Sequence, residues 1–266
     1  MTRARILALA RKEWLDLRRN PGALLPVALV AVLAILLPLV ITFGIPRWTG
    51  DALGNDSDLL RLSDAAHPER GLSDSGRVEY FLLQQFLLLF LLTPITGAMA
   101  LAAHSVVGEK QARTLEPLLA TPVTTVELLV AKVLGCFWPT LGISLISILV
   151  YFAAILWLAE TGVASAMLNP RTAVLVLLIG PAAGLVALQA AIVVSSRVND
   201  ARTAQQAGIL LIVPLTGLLV AQFFGSYWLS TGMLAVIGVA LLLLWLLLLA
   251  LSTALFERET ILTRWR

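Results

Sequence analysis

The residues best placed to do chemistry in this chain lie in one short stretch. It reads Gly108-Glu109-Lys110-Gln111-Ala112-Arg113-Thr114-Leu115-Glu116-Pro117-Leu118-Leu119-Ala120-Thr121-Pro122. Leu115, Leu118 and Leu119 follow i, i+3, i+4 spacing, which sets them on one face of a helix. Pro117 has no backbone N–H and fits only a first turn, so that helix starts near Thr114–Glu116. Thr121-Pro122 ends it after about two turns. Thr124 and Glu127 then have capping-box spacing just before Leu128, Leu129 and Val130. A long apolar helix therefore restarts there with a defined N-terminus, and Lys132 is placed to snorkel to the headgroups. A linker that only crosses between two segments needs none of this. A loop that docks a soluble partner does.

The chemistry that is missing narrows the function further. No Gly-x-x-x-x-Gly-Lys-Ser/Thr phosphate loop is present, so the chain is not expected to bind ATP itself. No His-Glu-x-x-His and no Gly-x-Ser-x-Gly appears, and no catalytic residue or cofactor is expected. Cys136 is the single cysteine, which forbids an internal disulfide, and no Cys/His cluster has metal-ligand spacing. Within the apolar segments, Gln84, Gln85, Thr93, Gln189 and Gln222 are candidates for lining a translocation path. The competing reading is interhelical glue, worth about 0.6–2 kcal/mol per bond. Gly180-Pro181-Ala182-Ala183-Gly184 carries the small-x-x-x-small spacing that lets helices approach closely.

The elements that must hold these residues are set by composition. Of 266 residues, 59% are hydrophobic and 13% charged, against about 45–50% and about 25% in soluble domains. Such a chain lacks the polar residues to cover a water-facing surface, so it is all-α and embedded in lipid. A bilayer core of about 30 Å takes about 20 helical residues. The spans are expected at 23–45, 81–107, 127–159, 172–196, 207–224 and 233–256. The last two come from residues 207–256, which carry no formal charge. As one helix they would run about 75 Å, so the segment must turn back, at 225–232 around Gly225, Ser226, Ser230 and Gly232. The nine leucines between Leu241 and Leu251 contribute about −3 to −5 kcal/mol to insertion of the sixth span.

Basic residues set the orientation. With both ends in the cytoplasm, fourteen of the 19 Lys and Arg face inside, while the sixteen acidic residues divide eight and eight. These cations border apolar segments and form no patch of their own, so no nucleic-acid partner is expected. Residues 1–22 have Ile6, Leu7, Ala10, Trp14 and Leu17 at helical spacing, with Arg11, Lys12, Arg18 and Arg19 on other faces. This fits a cytoplasmic interfacial helix on membrane lipid. The segment lacks the apolar core and cleavage site of a signal peptide, so it reads as mature. Residues 46–80 are expected to form the largest outer loop, with a short helix or ordered loop in it. Residues 108–126, 197–206 and 257–266 complete the cytoplasmic side. Apart from Glu127, the capping residue that opens the third span, no carboxylate falls within an expected span, which argues against a proton- or sodium-coupled carrier.

Residues 108–132 resemble the coupling region of ABC type-2 exporter permeases. In that family a Glu-x-x-x-Gly/Arg-Thr-Leu-Glu-x-Leu-Leu-x-Thr-Pro run follows span two, and Glu-Leu-Leu-x-x-Lys opens span three. The matching residues are Glu109, Arg113, Thr114, Leu115, Glu116, Leu118, Leu119, Thr121, Pro122, Glu127, Leu128, Leu129 and Lys132. Arg113 stands where a family member usually has Gly. Ala10-Arg11-Lys12-Glu13, residues 195–206 and Phe256-Glu257-Arg258-Glu259 also match. The resemblance implies a six-span permease of an ATP-driven exporter in the cell inner (plasma) membrane. Its partners would be a second permease, in a homodimer or heterodimer, and a separate cytoplasmic ATPase. Glu109, Arg113, Thr114, Leu115, Glu116, Leu118 and Leu119 would couple to that ATPase, and Arg197, Asp200 and Arg202 would make further cytoplasmic contacts. ATP binding would tilt the short helices and open the route outward. The alternatives are an ATP-independent carrier or channel, and a non-transporting anchoring or assembly factor. Substrate is not legible, because path-lining and packing residues look alike in one sequence.

Overall fold

The computed structural model describes residues 2–18, 21–65, 71–111, 124–198 and 229–255, with isolated positions between 203 and 217. Every element among the described residues is helical. Helix α1 spans Thr2–Arg18 and α2 spans Pro21–Leu39, followed by a π-turn at Val40–Gly44 and α3 at Ile45–Thr49. Beyond a 3-10 turn at Leu53–Asn55, α4 covers Ser57–Ala65 and α5 covers Asp74–Phe86. A 3-10 turn at Leu87–Leu91 joins α5 to α6, Leu92–Gln111. Helix α7 spans Thr125–Leu158, α8 Val163–Met167 and α9 Pro170–Val174. A π-turn at Leu175–Ile179 leads into α10, Gly180–Arg197, and α11 spans Thr231–Leu255.

Five of the described helical stretches are long and apolar enough to cross a bilayer: Leu24–Thr49, Asp74–Glu109, Glu127–Leu158, Pro170–Ser195 and Thr231–Thr253. The fifth expected span, 207–224, and the expected two-turn helix at 114–121 lie outside the described residues, apart from a few positions.

The second rod is longer than the sequence indicates. Expected at 81–107, it starts at Asp74, because Ser73 caps it: the Gly76 N–H donates to Ser73 Oγ at 2.9 Å. Asp74 in the first turn adds a favourable charge at the positive end of the helix dipole. The connection between the first two spans is correspondingly shorter than the expected 46–80, and α4 is a short helix within it. At 36 residues the rod runs about 54 Å. Part of it must therefore stand clear of a hydrocarbon core of about 30 Å.

This rod is the axis of the bundle, packed by α2, α7 and α10. Small residues allow the approach. A Cβ on Gly97 would meet Thr140 Cγ2 at 2.5 Å and Val27 Cγ1 at 2.9 Å, so spans one, two and three converge on that glycine. Gly184, from the small-residue run, sits against Pro94, whose Cβ is 3.2 Å from where a Cβ would stand. That run is thus used within the chain, against the second span. Tyr151 Oη donates to the Leu83 carbonyl at 2.9 Å, and its ring packs on Phe90. The outward faces of α2 and α7 stay apolar, with Leu29, Leu36 and Leu149 exposed and Trp157 at 92%. Such faces suit lipid or another membrane chain, and not water.

Candidate functional site

The densest polar cluster among the described residues lies where α6 ends and α7 begins, at the two roots of the segment 112–123. Lys132 is at its centre. It points inward from α7, is 2% exposed, and does not reach the headgroups as the sequence had indicated. Its Nζ lies 2.7 Å from Glu109 Oε2 and 3.1 Å from Glu13 Oε1, and donates to Ser105 Oγ at 2.7 Å. The Ser105 hydroxyl donates in turn to Glu13 Oε2 at 2.6 Å. Lys12 Nζ donates to Glu109 Oε1 at 2.6 Å. Two carboxylates face two ammonium groups, so the cluster is neutral, and it ties α1, α6 and α7 together.

Burial explains why Lys132 folds inward. Glu13 and Glu109 are 5% and 7% exposed, and an unpaired carboxylate at such depth would be strongly destabilising. Snorkelling would leave both without their central cation. Removing one partner of a buried pair costs about 3–5 kcal/mol, whereas the complete pair is close to neutral against apolar packing. The cluster thus fixes a geometry more than it adds stability.

Local sequence makes the cluster fit. A Cβ at Gly135, one turn beyond Lys132 on α7, would stand 2.5 Å from Glu13 Cβ and 3.4 Å from the Ala10 carbonyl oxygen. Only glycine lets α1 lie this close. On α1 the charged residues Lys12 and Glu13 face the bundle, while Leu7 and Trp14 are exposed. At the start of α7 both capping-box bonds are present. Glu127 N–H donates to Thr124 Oγ1 at 3.2 Å, and Thr124 N–H donates to Glu127 Oε2 at 2.9 Å. The expected cap is there.

Of the residues expected to couple to a partner, Glu109 is inside this cluster and turned toward its own chain. Arg113, Thr114, Leu115, Glu116, Leu118 and Leu119 lie outside the described residues, as do Asp200, Arg202 and Gln222. Arg197 is the last residue of α10. The other polar candidates are packed in the interior. Gln84 exchanges hydrogen bonds with Thr172 at 3.3 Å, linking the second and fourth spans. Gln189 bonds to Ser252, linking α10 to α11. Gln85 and Thr93 are fully buried. Sequence reasoning missed Glu13 and Ser105 as partners of Lys132. The one available signal was a lysine entering an apolar run, which requires a counter-charge without naming it.

At the opposite end of the bundle, Glu160 N–H donates to Glu79 Oε2 at 2.9 Å and Ser73 Oγ bonds to Glu160. Asn169, the N-cap of α9, donates to Tyr80 Oη at 3.1 Å.

No curated protein matches the chain. A family model does, described as ABC-2 family transporter protein, over residues 7–230. The match takes in α1 from residue 7 onward, both roots of the 112–123 segment and the spans that carry the charge cluster. With this long apolar helical bundle and that match over most of its length, the chain belongs to the ABC-2 family of membrane transporter proteins.

Proposed function

We propose that the chain is the permease subunit of an ATP-driven exporter, with six spans and both termini in the cytoplasm of a cell whose inner (plasma) membrane it crosses. A second permease pairs with it, and a separate cytoplasmic ATPase docks on Arg113, Thr114, Leu115, Glu116, Leu118 and Leu119. The observation that carries the reading is the Glu13–Lys132–Glu109 cluster at the roots of residues 112–123. A partner pushing on that segment moves α6 and α7 at their bases, and the buried charges oblige α1 to move with them. Glu109 then acts as a positioning residue, not a docking one.

Nucleotide shifts the bundle between two states, and it does so only by as much as the ATPase favours one of them. Family membership supports the transport role, and the excess of basic residues on the proposed inner side supports the orientation. The test is co-purification of the tagged chain from detergent, with any accompanying ATPase identified by mass spectrometry. Leu115→Asp and Leu118→Asp should each lose the ATPase and uncouple transport while membrane insertion stays intact. Undiminished recovery of the ATPase with both variants would overturn the reading.

A further inference from the structure

We propose that the end of the bundle opposite the charge cluster holds a binding site for a small organic ammonium ion. A cavity of about 160 Å³ opens there between the π-turn of the first span, the 3-10 turn at Leu53–Asn55, α5 and the α7–α8 turn. Thr42, Phe43, Pro46, Leu53, Glu79 and Glu160 line it. Three observations converge on a cationic occupant.

The first is charge. Glu79 is 8% exposed, yet among the described residues neither it nor Glu160 forms an ion pair. Each uses one oxygen, Glu79 Oε2 toward the Glu160 N–H and Glu160 Oε2 toward Ser73. Arg47 also borders the cavity, but its Nη2 donates to the Leu158 carbonyl at 3.3 Å and its guanidinium carbon lies 5.7 Å from the Phe43 ring centroid. Glu160 is exposed at the rim, whereas Glu79 is buried and has no ion-pair partner among the described residues, and a buried carboxylate without a counter-charge is strongly disfavoured.

The second is Thr42, which is 1% exposed and whose Oγ1 has no hydrogen-bond partner. Threonine in a regular helix bonds back to a carbonyl one turn earlier. The π-turn at Val40–Gly44 displaces Thr42 from that arrangement, and π-turns are frequent at functional sites. The third is shape. A cavity of this size is far larger than a bare ion needs and close to one that holds benzene. Phe43, Pro46 and Leu53 would receive an apolar body while the ammonium group meets Glu79, Glu160 and Thr42. Among the described residues no group of three or more acidic, His or Cys side chains is arranged to hold a metal ion.

The test is calorimetric titration of the full chain in lipid nanodiscs with benzylammonium, using the same nanodiscs without protein as reference and benzyl alcohol as the neutral isostere. Benzylammonium should bind at least tenfold more tightly than benzyl alcohol, and Glu79→Gln should remove that preference. Thr42→Val, which keeps the shape, should weaken binding severalfold, and Leu53→Trp should block it from the rim without touching a carboxylate. Equal affinity for the two probes would overturn the proposal, as would unchanged binding in Thr42→Val and Leu53→Trp. Stoichiometric calcium binding that displaces benzylammonium would overturn it in favour of a metal ion. The measurement needs no ATPase, so its outcome is independent of the exporter reading.

Discussion

Lys132 Nζ and Glu109 Oε2 lie 2.7 Å apart, inside the bundle, on helices joined through the segment 112–123. Glu13, 119 residues before Lys132, closes the same contact from a third helix at 3.1 Å. The bases of two spans and an N-terminal helix therefore share one buried lysine.

Lys132→Met should be severely destabilising, by about 3–5 kcal/mol, because it leaves two carboxylates buried with only Lys12 nearby. The double variant Lys132→Met/Glu109→Gln should recover part of that loss, since removing both partners leaves fewer uncompensated charges. Thermal unfolding in detergent, followed by size-exclusion, checks both. Additive losses would mean that the two side chains are not coupled.

Gly135→Ala should push α1 away from α7. The added carbon would fall 2.5 Å from Glu13 Cβ, and overpacking of this kind costs about 1–3 kcal/mol. Spin labels on Leu7 and Trp138, both exposed, read the separation directly. An unchanged distance distribution would refute the tight approach.

Thr124→Ala should cost about 1 kcal/mol by opening the capping box at the start of α7. Thr124→Ser keeps the acceptor oxygen and should be nearly silent. Hydrogen exchange at the Glu127 amide, which donates to Thr124 Oγ1, should rise in the first variant only.

Gln84→Leu and Gln189→Leu should lower stability by about 0.6–1.7 kcal/mol each, the range for hydrogen bonds between membrane helices. If these residues only join helices, transport per folded molecule stays unchanged. A changed substrate preference at preserved stability would instead place them on the translocation path.

Cys136 is the single cysteine and is fully buried, so Cys136→Ala gives a background for mapping sides. In that background Ser75→Cys should react with an impermeant maleimide from outside intact cells, and Gln111→Cys only after permeabilisation. Labelling of both from the same side would refute the orientation.

What the sequence determined alone was everything set by composition and by neighbours within one helical turn. Apolar length specified the membrane helices, because the bilayer leaves no alternative for unpaired backbone groups. Thr124 and Glu127, three residues apart, specified the cap. Span edges were less legible: Asp74 to Tyr80 contain polar residues that hydropathy rejects, yet packing and the Ser73 cap keep them helical. The fate of Lys132 was decided by tertiary structure. Whether a lysine snorkels or turns inward depends on where its counter-charges stand, and Glu13 and Glu109 reach it only once three helices have packed. The same holds for Glu79, Glu160 and Thr42, which come from three distant segments. Long-range electrostatics has no sequence period to read, and only the folded bundle brings those charges together.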